Sequence, residues 1–227
     1  MSARLITADD ALPAVEQVPA PWTLHGSGWI LLLELPDEVR CDPRHLPEEL
    51  RGVPLGGPSL VMFVDYADSP AGPYRELLFI PGRFHLPDGR RAWSVTRIYV
   101  SSWDSVVNGR LNWGIPKDRA DFECASTGRG ERIRVTVEDR QVAALEFERR
   151  GLAWPVHSGL VPDAFRRVVQ HHGGRRFELA PEARGRAGRA RLERAASDGE
   201  LFPDLGAGRV RTALHVPRFR LRFPTAS

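Results

Sequence analysis

The side chain with the clearest capacity for covalent chemistry in this chain is Lys117. The sequence has 227 residues, 32 of them lysine or arginine, and Lys117 is the single lysine. An arginine guanidinium stays protonated and cannot act as an amine nucleophile, whereas a lysine amine can attack a carbonyl carbon. An arginine-rich coding bias could leave one lysine by chance. The neighbouring residues are therefore needed to tell whether Lys117 is such a remnant or a functional residue.

Those neighbours place Lys117 after a bend and beside apolar side chains. Gly114 allows a sharp turn of the backbone, and Pro116 disfavours helical geometry at the residue that precedes it. Trp113 and Ile115 supply apolar surface within a few residues of the amine. This setting favours function over accident, and it predicts a lysine held rigidly against an apolar wall.

Two blocks of the sequence resemble the acetoacetate decarboxylase family. Gly109-Arg110 followed by Pro116-Lys117 is similar to that family's signature, in which a short helix ends before a Pro-Lys pair. Upstream, Tyr74 and Glu76 resemble the family's Tyr-x-Glu segment, whose glutamate faces the lysine. The two blocks follow each other in the family's order, and weaker likeness extends over most of the chain.

The resemblance implies a mainly β fold of the α+β type. It would be an antiparallel β-barrel or cone with a few short helices, formed by a single domain over residues 22–227 after an N-terminal arm over residues 1–21. It also implies a homo-oligomer, since exposed strand edges favour assembly. No cofactor is implied.

The resemblance also gives roles to particular residues. Lys117 would form the imine, and Glu76 would hydrogen-bond the substrate and help to move protons beside it. A glutamate on a strand can instead face solvent, but the block around Lys117 favours the pocket. The residues expected to bind the substrate are Arg97, Tyr99, Arg110, Trp113 and Ile115.

Arg97 is included among the expected substrate-binding residues because side chains alternate between the two faces of a strand. A continuous strand over residues 93–100 would put Arg97 and Tyr99 on one face. If Tyr99 faces the site, Arg97 could bind a substrate carboxylate with two hydrogen bonds. It would then replace the family's arginine, in whose place this chain has Ser27. An arginine exposed on the strand surface is the alternative.

Two further family positions are altered close to the lysine. Leu111 stands where the family has a glutamate, and Asp118 stands where it has a second lysine. A neighbouring cation lowers the pKa of an amine, whereas a neighbouring acid raises it. Asp118 would therefore have to point away, toward Arg110 or Arg119, and burial alone would have to lower the pKa of Lys117.

The resemblance implies imine chemistry more directly than decarboxylation. An iminium accepts electrons when a β-keto acid loses CO2, and also when a proton or an aldol bond is broken at the adjacent carbon. The sequence therefore predicts a Schiff-base enzyme for a small keto acid or ketone, either decarboxylase-like or an aldolase or dehydratase. A non-catalytic β-barrel module that binds an apolar or carbonyl small molecule is the alternative.

Composition excludes several other classes of protein. Hydrophobic residues make up 42% and charged residues 27% of the chain, which is ordinary for a globular protein. The net charge of +3 and the scattered arginines do not indicate nucleic-acid binding. No apolar run approaches the roughly 20 residues of a membrane span. The N-terminus lacks a signal-peptide pattern, so a cytoplasmic location is expected.

The cysteines and the histidine pair predict no metal site. Cys41 and Cys124 lie far apart in sequence and read as two free thiols. His171-His172 is followed by two glycines, and no aspartate or cysteine stands at ligand spacing. This segment is therefore predicted to be a turn.

Periodicity predicts most of the strands. Buried strands are expected at 29–35, 59–66 and 74–80, and alternating strands at 122–125, 131–137, 142–149 and 218–223. Asp88-Gly89 predicts a hairpin, and Ser102 is expected to cap a short helix that ends at Gly109. Residues 182–196 look helical by composition, but the resemblance indicates a strand, and we adopt the strand.

Overall fold

The computed structural model describes residues 5–227, which form 15 strands and three α-helices. The helices are α1 (Asp37–Arg40), α2 (Trp103–Trp113) and α3 (Asp163–Arg166). The strands are β1 (Trp22–Glu34), β2 (Leu55–Gly56), β3 (Ser59–Asp68), β4 (Tyr74–Ile80), β5 (Arg83–His85), β6 (Arg91–Trp93), β7 (Arg97–Val100), β8 (Lys117–Arg119), β9 (Asp121–Ser126), β10 (Gly130–Val137), β11 (Arg140–His157), β12 (Val168–His172), β13 (Arg175–Leu179), β14 (Glu182–Ser197) and β15 (Arg209–Phe223). The predicted mainly β fold with few helices is confirmed.

Most of the strands belong to one sheet that curls on itself. Its ten strands run in the order β8-β7-β4-β3-β1-β15-β14-β11-β10-β9, and a second sheet has the order β13-β12-β6-β5-β2. The first and last strands of the large sheet, β8 and β9, are separated in sequence by Ala120 alone. The short link brings the two edges together, so the sheet is nearly closed like a barrel.

The large sheet has an apolar core on each face because its strands alternate apolar side chains toward both sides. One core joins residues from strands all around the curl, including Leu31, Phe63 and Phe147. The other lies on the opposite face of β1, β3, β4 and β7, where Tyr74 and Ile98 pack with residues of helix α2. The space between the sheet and α2 is therefore a second interior, separate from the core of the curled sheet.

The predicted strands are found, several of them longer than expected. Strand β11 extends to His157, and residues 182–196 lie in β14, as the resemblance indicated and contrary to their helical composition. The segment predicted to be a turn is one only at Gly173 and Gly174, both with positive φ, because His171 and His172 lie in β12. The hairpin at Asp88-Gly89 joins β5 to β6, and Cys41 and Cys124 are free thiols.

The end of helix α2 corrects the sequence prediction. Ser102 caps its start as expected, with its hydroxyl oxygen accepting from the backbone N–H of Ser105. The helix does not stop at Gly109 but continues to Trp113, and it ends at Gly114 in the left-handed conformation with φ 62°. Both glycines can end a helix, but only Gly114 is followed by a proline two residues later. Gly109 has a different use, described below.

A second correction concerns the strand predicted over residues 93–100. Strand β6 ends at Trp93, and β7 begins at Arg97 in the other sheet. Residues 94–96 form no strand, and the alternation of side chains changes phase across them. Val95 packs with Ile98, three residues away, in the core beside α2.

The segment before β1 runs along helix α2. The backbone N–H groups of Val18 and Ala20 donate to the side-chain oxygens of Asn108 and Asn112. None of the helices in residues 5–227 has the length and apolarity needed to cross a membrane.

Candidate active site

Lys117 lies at the start of β8, between the large sheet and helix α2. It is paired in register with Ile98 of the neighbouring β7. Gly109 of α2 leaves the room that its side chain occupies, since a Cβ added to Gly109 would lie 2.6 Å from the lysine Cδ. This close approach explains the glycine in the interior of the helix. The amine is thereby held between helix and sheet.

The amine is buried and has two polar partners. The Nζ atom of Lys117 donates to Oε2 of Glu76 at 2.9 Å and to Oγ of Ser105 at 3.0 Å. Lys117 and Glu76 are each only 4% exposed, and Ser105 is 0% exposed. The Tyr74 ring lies beside the amine, with its centroid 5.0 Å from Nζ. The predicted lysine–glutamate pair is thus in contact, out of reach of bulk solvent.

A small apolar cavity adjoins the pair. Its volume is about 30 Å³, and about 10–15 Å³ of such space is enough to hold one water molecule. It is lined by Trp22, Leu24, Tyr66, Tyr74, Glu76, Leu78, Val95, Ile98, Trp113, Ile115, Lys117 and Phe223. The cavity therefore has room for only a few atoms, and a substrate the size of a small ketone must displace some of these side chains.

Two tyrosines complete the polar surroundings of Glu76. The Tyr66 hydroxyl donates to Oε1 of Glu76 at 3.2 Å. Burial, together with the charge of Glu76, raises the pKa of Tyr66 well above its ordinary value. Burial likewise raises the pKa of Tyr74 to about 12, against an opposing effect of Lys117. Both phenols keep their protons at neutral pH and can act as hydrogen-bond donors.

The protonation of Lys117 differs from the sequence expectation. Burial is the largest single effect and lowers the pKa of the amine, but Glu76 and Tyr74 together outweigh burial and raise the pKa above its ordinary value. The resting site therefore contains an ammonium–carboxylate pair rather than a neutral amine. The expected net lowering of this pKa is not found, because the effect of burial is offset by polar groups in direct contact with the amine.

Asp118 points to the other face of the sheet, as the chemistry of Lys117 requires. Its carboxylate accepts from the guanidinium of Arg110 at 3.0 Å and from the backbone N–H groups of Ile6 and Thr7. Arg97 lies 3.9 Å from the same carboxylate. Burial raises the pKa of Asp118, against the hydrogen bonds from the two backbone N–H groups. The expected pairing of Asp118 with Arg110 is found.

Three of the predicted substrate-binding residues lie away from the cavity. Arg110 donates to the backbone oxygen of Lys117 at 2.9 and 2.6 Å and to Asp9 at 2.9 Å, so it fixes the lysine backbone. Tyr99 packs in the core of the curled sheet and donates its hydroxyl to the Leu201 carbonyl. Arg97 lies on that same face. The expected placement of Arg97 and Tyr99 beside the amine is corrected by the change of phase at residues 94–96.

The remaining predicted residues do meet at the cavity, and one residue was missed. Trp113 and Ile115 line it with Lys117 and Glu76. Ser105, which accepts a hydrogen bond from the amine, is not among the residues predicted from the sequence. Its spacing of four from Gly109 was the available signal, because residues at i and i+4 share one face of a helix. A hydroxyl one turn before a glycine can face the side chain that the glycine admits.

Other candidate features lie outside this site. Ser27, in place of the family's arginine, lines an open concavity with Asp65 rather than the cavity of Lys117. Within the described range 5–227, no cluster of three or more histidine, cysteine, aspartate or glutamate residues is arranged to hold a metal ion.

Comparisons with known proteins match this chain to a family and to a fold. The family described as acetoacetate decarboxylase (ADC) matches residues 43–202, a span that contains Glu76, Ser105 and Lys117. A search of curated proteins finds no match.

Solved structures share the fold at low sequence identity. The acetoacetate decarboxylase of Legionella pneumophila has a TM-score of 0.66 at 15% identity, covering 96% of this chain and 92% of that one. An acetoacetate decarboxylase-like enzyme of Sphingomonas wittichii has a TM-score of 0.65 at 14% identity, with coverages of 97% and 98%. The enduracididine biosynthesis enzyme MppR, complexed with pyruvate, has a TM-score of 0.63 at 14% identity, with coverages of 99% and 98%.

Proposed function

Because the chain belongs to the acetoacetate decarboxylase family, we propose that it is a Schiff-base enzyme in which Lys117 forms an imine with a small ketone or keto acid. The observation that carries the proposal is the buried contact of 2.9 Å between the Lys117 amine and Glu76. A buried lysine enclosed by apolar side chains, with a carboxylate in contact that can accept its proton, is suited to covalent carbonyl chemistry.

The reaction begins with a proton transfer. Glu76 takes a proton from the ammonium, and the free amine attacks the substrate carbonyl carbon to form an N–C bond. The carbonyl oxygen becomes a hydroxyl and then leaves as water, for which it needs two protons in all. After the attack, the nitrogen transfers one proton to this oxygen. Protonated Glu76 donates the second proton as water leaves. The product is an iminium next to a carboxylate.

The iminium then acts as an electron sink. When a bond at the adjacent carbon breaks, its electron pair forms a C=C bond to the former carbonyl carbon, and the π pair of the C=N bond moves to nitrogen, which gives a neutral enamine. The group released is CO2 in a decarboxylation, a proton in an exchange or dehydration, and an aldehyde in a retro-aldol cleavage. Protonation of the enamine carbon restores an iminium, and water releases the product from Lys117. Glu76 and the neutral phenol of Tyr66 are placed to exchange these protons.

The ion pair sets a requirement for the first step. A protonated amine is not nucleophilic, and the raised pKa of Lys117 keeps it protonated at neutral pH. A carbonyl group that enters the cavity separates the amine from solvent further, and its oxygen competes with Glu76 for the hydrogen bonds that the amine donates. Proton transfer within the pair is therefore the step that generates the nucleophile.

A non-catalytic role as a small-molecule binder is the second candidate. The cavity is small and its lining is mostly apolar, as in a pocket that binds a small apolar molecule. In such a binder, the protonated amine would donate a hydrogen bond to a carbonyl oxygen without reacting with the carbonyl carbon. In either case we propose a homo-oligomer that acts in the cytoplasm, where the two free thiols fit a reducing environment.

Reductive trapping separates the two candidates. The protein is incubated with acetone or acetoacetate and sodium cyanoborohydride, and the adduct is located by mass spectrometry of peptides. An enzyme that forms an imine gives one stable secondary amine at Lys117. A binder leaves Lys117 unmodified while the same ketone still changes tryptophan fluorescence, since Trp22 and Trp113 line the cavity.

A further inference from the structure

The charges around the cavity of Lys117 restrict what can enter it. Among residues 5–227, Lys117 is the only cation that lines the cavity, and Glu76 is the only carboxylate. The two charges are in contact and cancel each other. After imine formation the positive charge stays on the nitrogen as an iminium, so the cancellation persists through the reaction.

A substrate carboxylate would break this balance. It would add a second negative charge to a site that already holds Glu76, with no second cation on the cavity wall. A buried charge without a partner is strongly unfavourable. The phenols of Tyr66 and Tyr74 can donate hydrogen bonds, but Tyr66 already donates to Glu76.

The two buried arginines nearby are placed for a different purpose. Arg110 holds the Lys117 carbonyl and the Asp118 carboxylate, and Arg97 lies beside that carboxylate on the opposite face of the sheet from the cavity. Ser27 lines a separate outer concavity. None of these three positions brings a cation to a ligand bound at Lys117.

We propose that the site takes a small neutral carbonyl compound, a ketone or an aldehyde without a carboxylate, and discriminates against keto acids. This inference rests on the proposed Schiff-base function and narrows its substrate class. Loss of CO2 requires a carboxylate on the substrate, so the reaction class that remains is proton transfer, dehydration or aldol chemistry at the carbon next to the carbonyl.

A matched pair of substrates tests the charge alone. Acetoacetate and methyl acetoacetate carry the same reactive ketone and differ by a carboxylate against a methyl ester. For each compound, the rate of cyanoborohydride trapping at Lys117 is measured at neutral pH. This rate is divided by the rate at which the same compound is trapped on a free lysine peptide, which corrects for the different reactivity of the two ketones. We expect the ester to be trapped more than about tenfold faster than the acid, since a buried unpaired charge is worth at least that much.

Glu76→Gln provides the matched variant. It removes one negative charge from the cavity while keeping the size of the side chain, so the preference for the ester over the acid should shrink. Because the readout is a ratio of two rates in one variant, an overall loss of rate in Glu76→Gln does not affect it.

A binding measurement separates this inference from the proposed function. Quenching of tryptophan fluorescence reports occupancy of the cavity whether or not an imine forms. If neither compound is trapped but the ester binds more tightly than the acid, the Schiff-base function is wrong, whereas the preference of the cavity for a neutral carbonyl compound is supported. If the acid is trapped or bound as well as the ester, or if Glu76→Gln leaves the ratio unchanged, the inference is overturned.

Discussion

Lys117 and Asp118 are adjacent in sequence, are both buried in ion pairs, and differ in what their surroundings leave open. On one face of β8, the Lys117 amine contacts Glu76 and Ser105 and borders a cavity. On the other face, the Asp118 carboxylate is surrounded by an arginine and two backbone N–H groups. A buried charge whose partners fill its surroundings supports the structure, whereas one beside a cavity can also meet a substrate.

The same comparison explains how an acid can stand next to the lysine proposed to form the imine without lying beside its amine. Successive residues of a strand point to opposite faces, so the Asp118 carboxylate is directed away from the amine. Arg110 joins the two sides, because it holds the Lys117 carbonyl and the Asp118 carboxylate at once. The acid that would have disturbed the amine instead helps to fix its backbone.

The largest effect is expected from Lys117→Arg. The guanidinium keeps the positive charge beside Glu76 but cannot form an imine, so trapping with methyl acetoacetate should disappear while the circular dichroism spectrum is retained. The double variant Lys117→Arg/Arg119→Lys is the control, because it keeps one lysine in the chain but moves it two residues along. An adduct at position 119 as abundant as the normal adduct at Lys117 would mean that the cavity does not select the amine.

Glu76→Gln should separate catalysis from stability on the cavity side. Loss of a general acid–base group lowers rates by about 10²–10⁴-fold, measured as exchange of the acetone methyl protons in deuterium oxide by NMR. Removing one partner of a buried ion pair also costs up to about 3–5 kcal/mol of folding free energy, so the exchange rate is expressed per folded molecule. An exchange rate per folded molecule equal to that of the unaltered protein would identify Glu76 as a structural residue.

Asp118→Asn should lower stability without lowering the rate per folded molecule. Removing one partner of a buried ion pair costs about 3–5 kcal/mol of folding free energy, because Arg110 and Arg97 lose a negative neighbour. Urea unfolding measures the loss, and the imine chemistry of the folded fraction should persist. Asp68→Asn is the control, since that exposed acid pairs with His25 at the surface and is worth within about 1 kcal/mol. Similar losses in the two variants would contradict the contrast.

The pH dependence of trapping follows from the ion pair. The pKa of Lys117 is raised in the folded protein, so the neutral amine should increase about tenfold per pH unit below that pKa. Trapping should therefore accelerate from pH 6 to pH 9 without reaching a plateau. The contribution of the Lys117 ammonium to folding stability depends on the same pKa. This contribution is present below the pKa of a lysine in the unfolded chain, and it is lost as the pH rises through the higher pKa of the folded protein. A plateau near neutrality would show that the amine is already unprotonated.

The smallest effect is expected from Ser105→Ala. The variant removes one hydrogen bond to the amine, worth about 1 kcal/mol, which corresponds to about fivefold in rate. The lost bond stabilises the ammonium form of Lys117, which is not nucleophilic, so trapping of methyl acetoacetate should accelerate by up to that factor. Ser94→Ala is the matched control, because Ser94 is equally buried but hydrogen-bonds Gln170 outside the cavity. Equal trapping rates in both variants would assign Ser105 a packing role only.

Much of the fold could be predicted because alternation in a sheet is a local property. Strand β4 was predicted at its observed bounds, and the alternating arginines at 218–222 are exposed while the residues between them are half-buried. The phase of β7 could not be predicted in this way. It depends on the break at residues 94–96, where the chain leaves one sheet for the other.

The sequence by itself determined which groups are available for chemistry. They are one lysine amine and a glutamate in a segment that resembles the family's, together with glycines that let a helix approach a strand. The tertiary structure decided the environment of that amine, because Glu76 and Ser105 reach it from 41 and 12 residues away. Such contacts depend on how a strand and a helix pack, and their distances set the charge that Lys117 carries. The same packing turned Arg97, Tyr99 and Asp118 to the far face, since one residue of phase in a strand reverses the direction of a side chain.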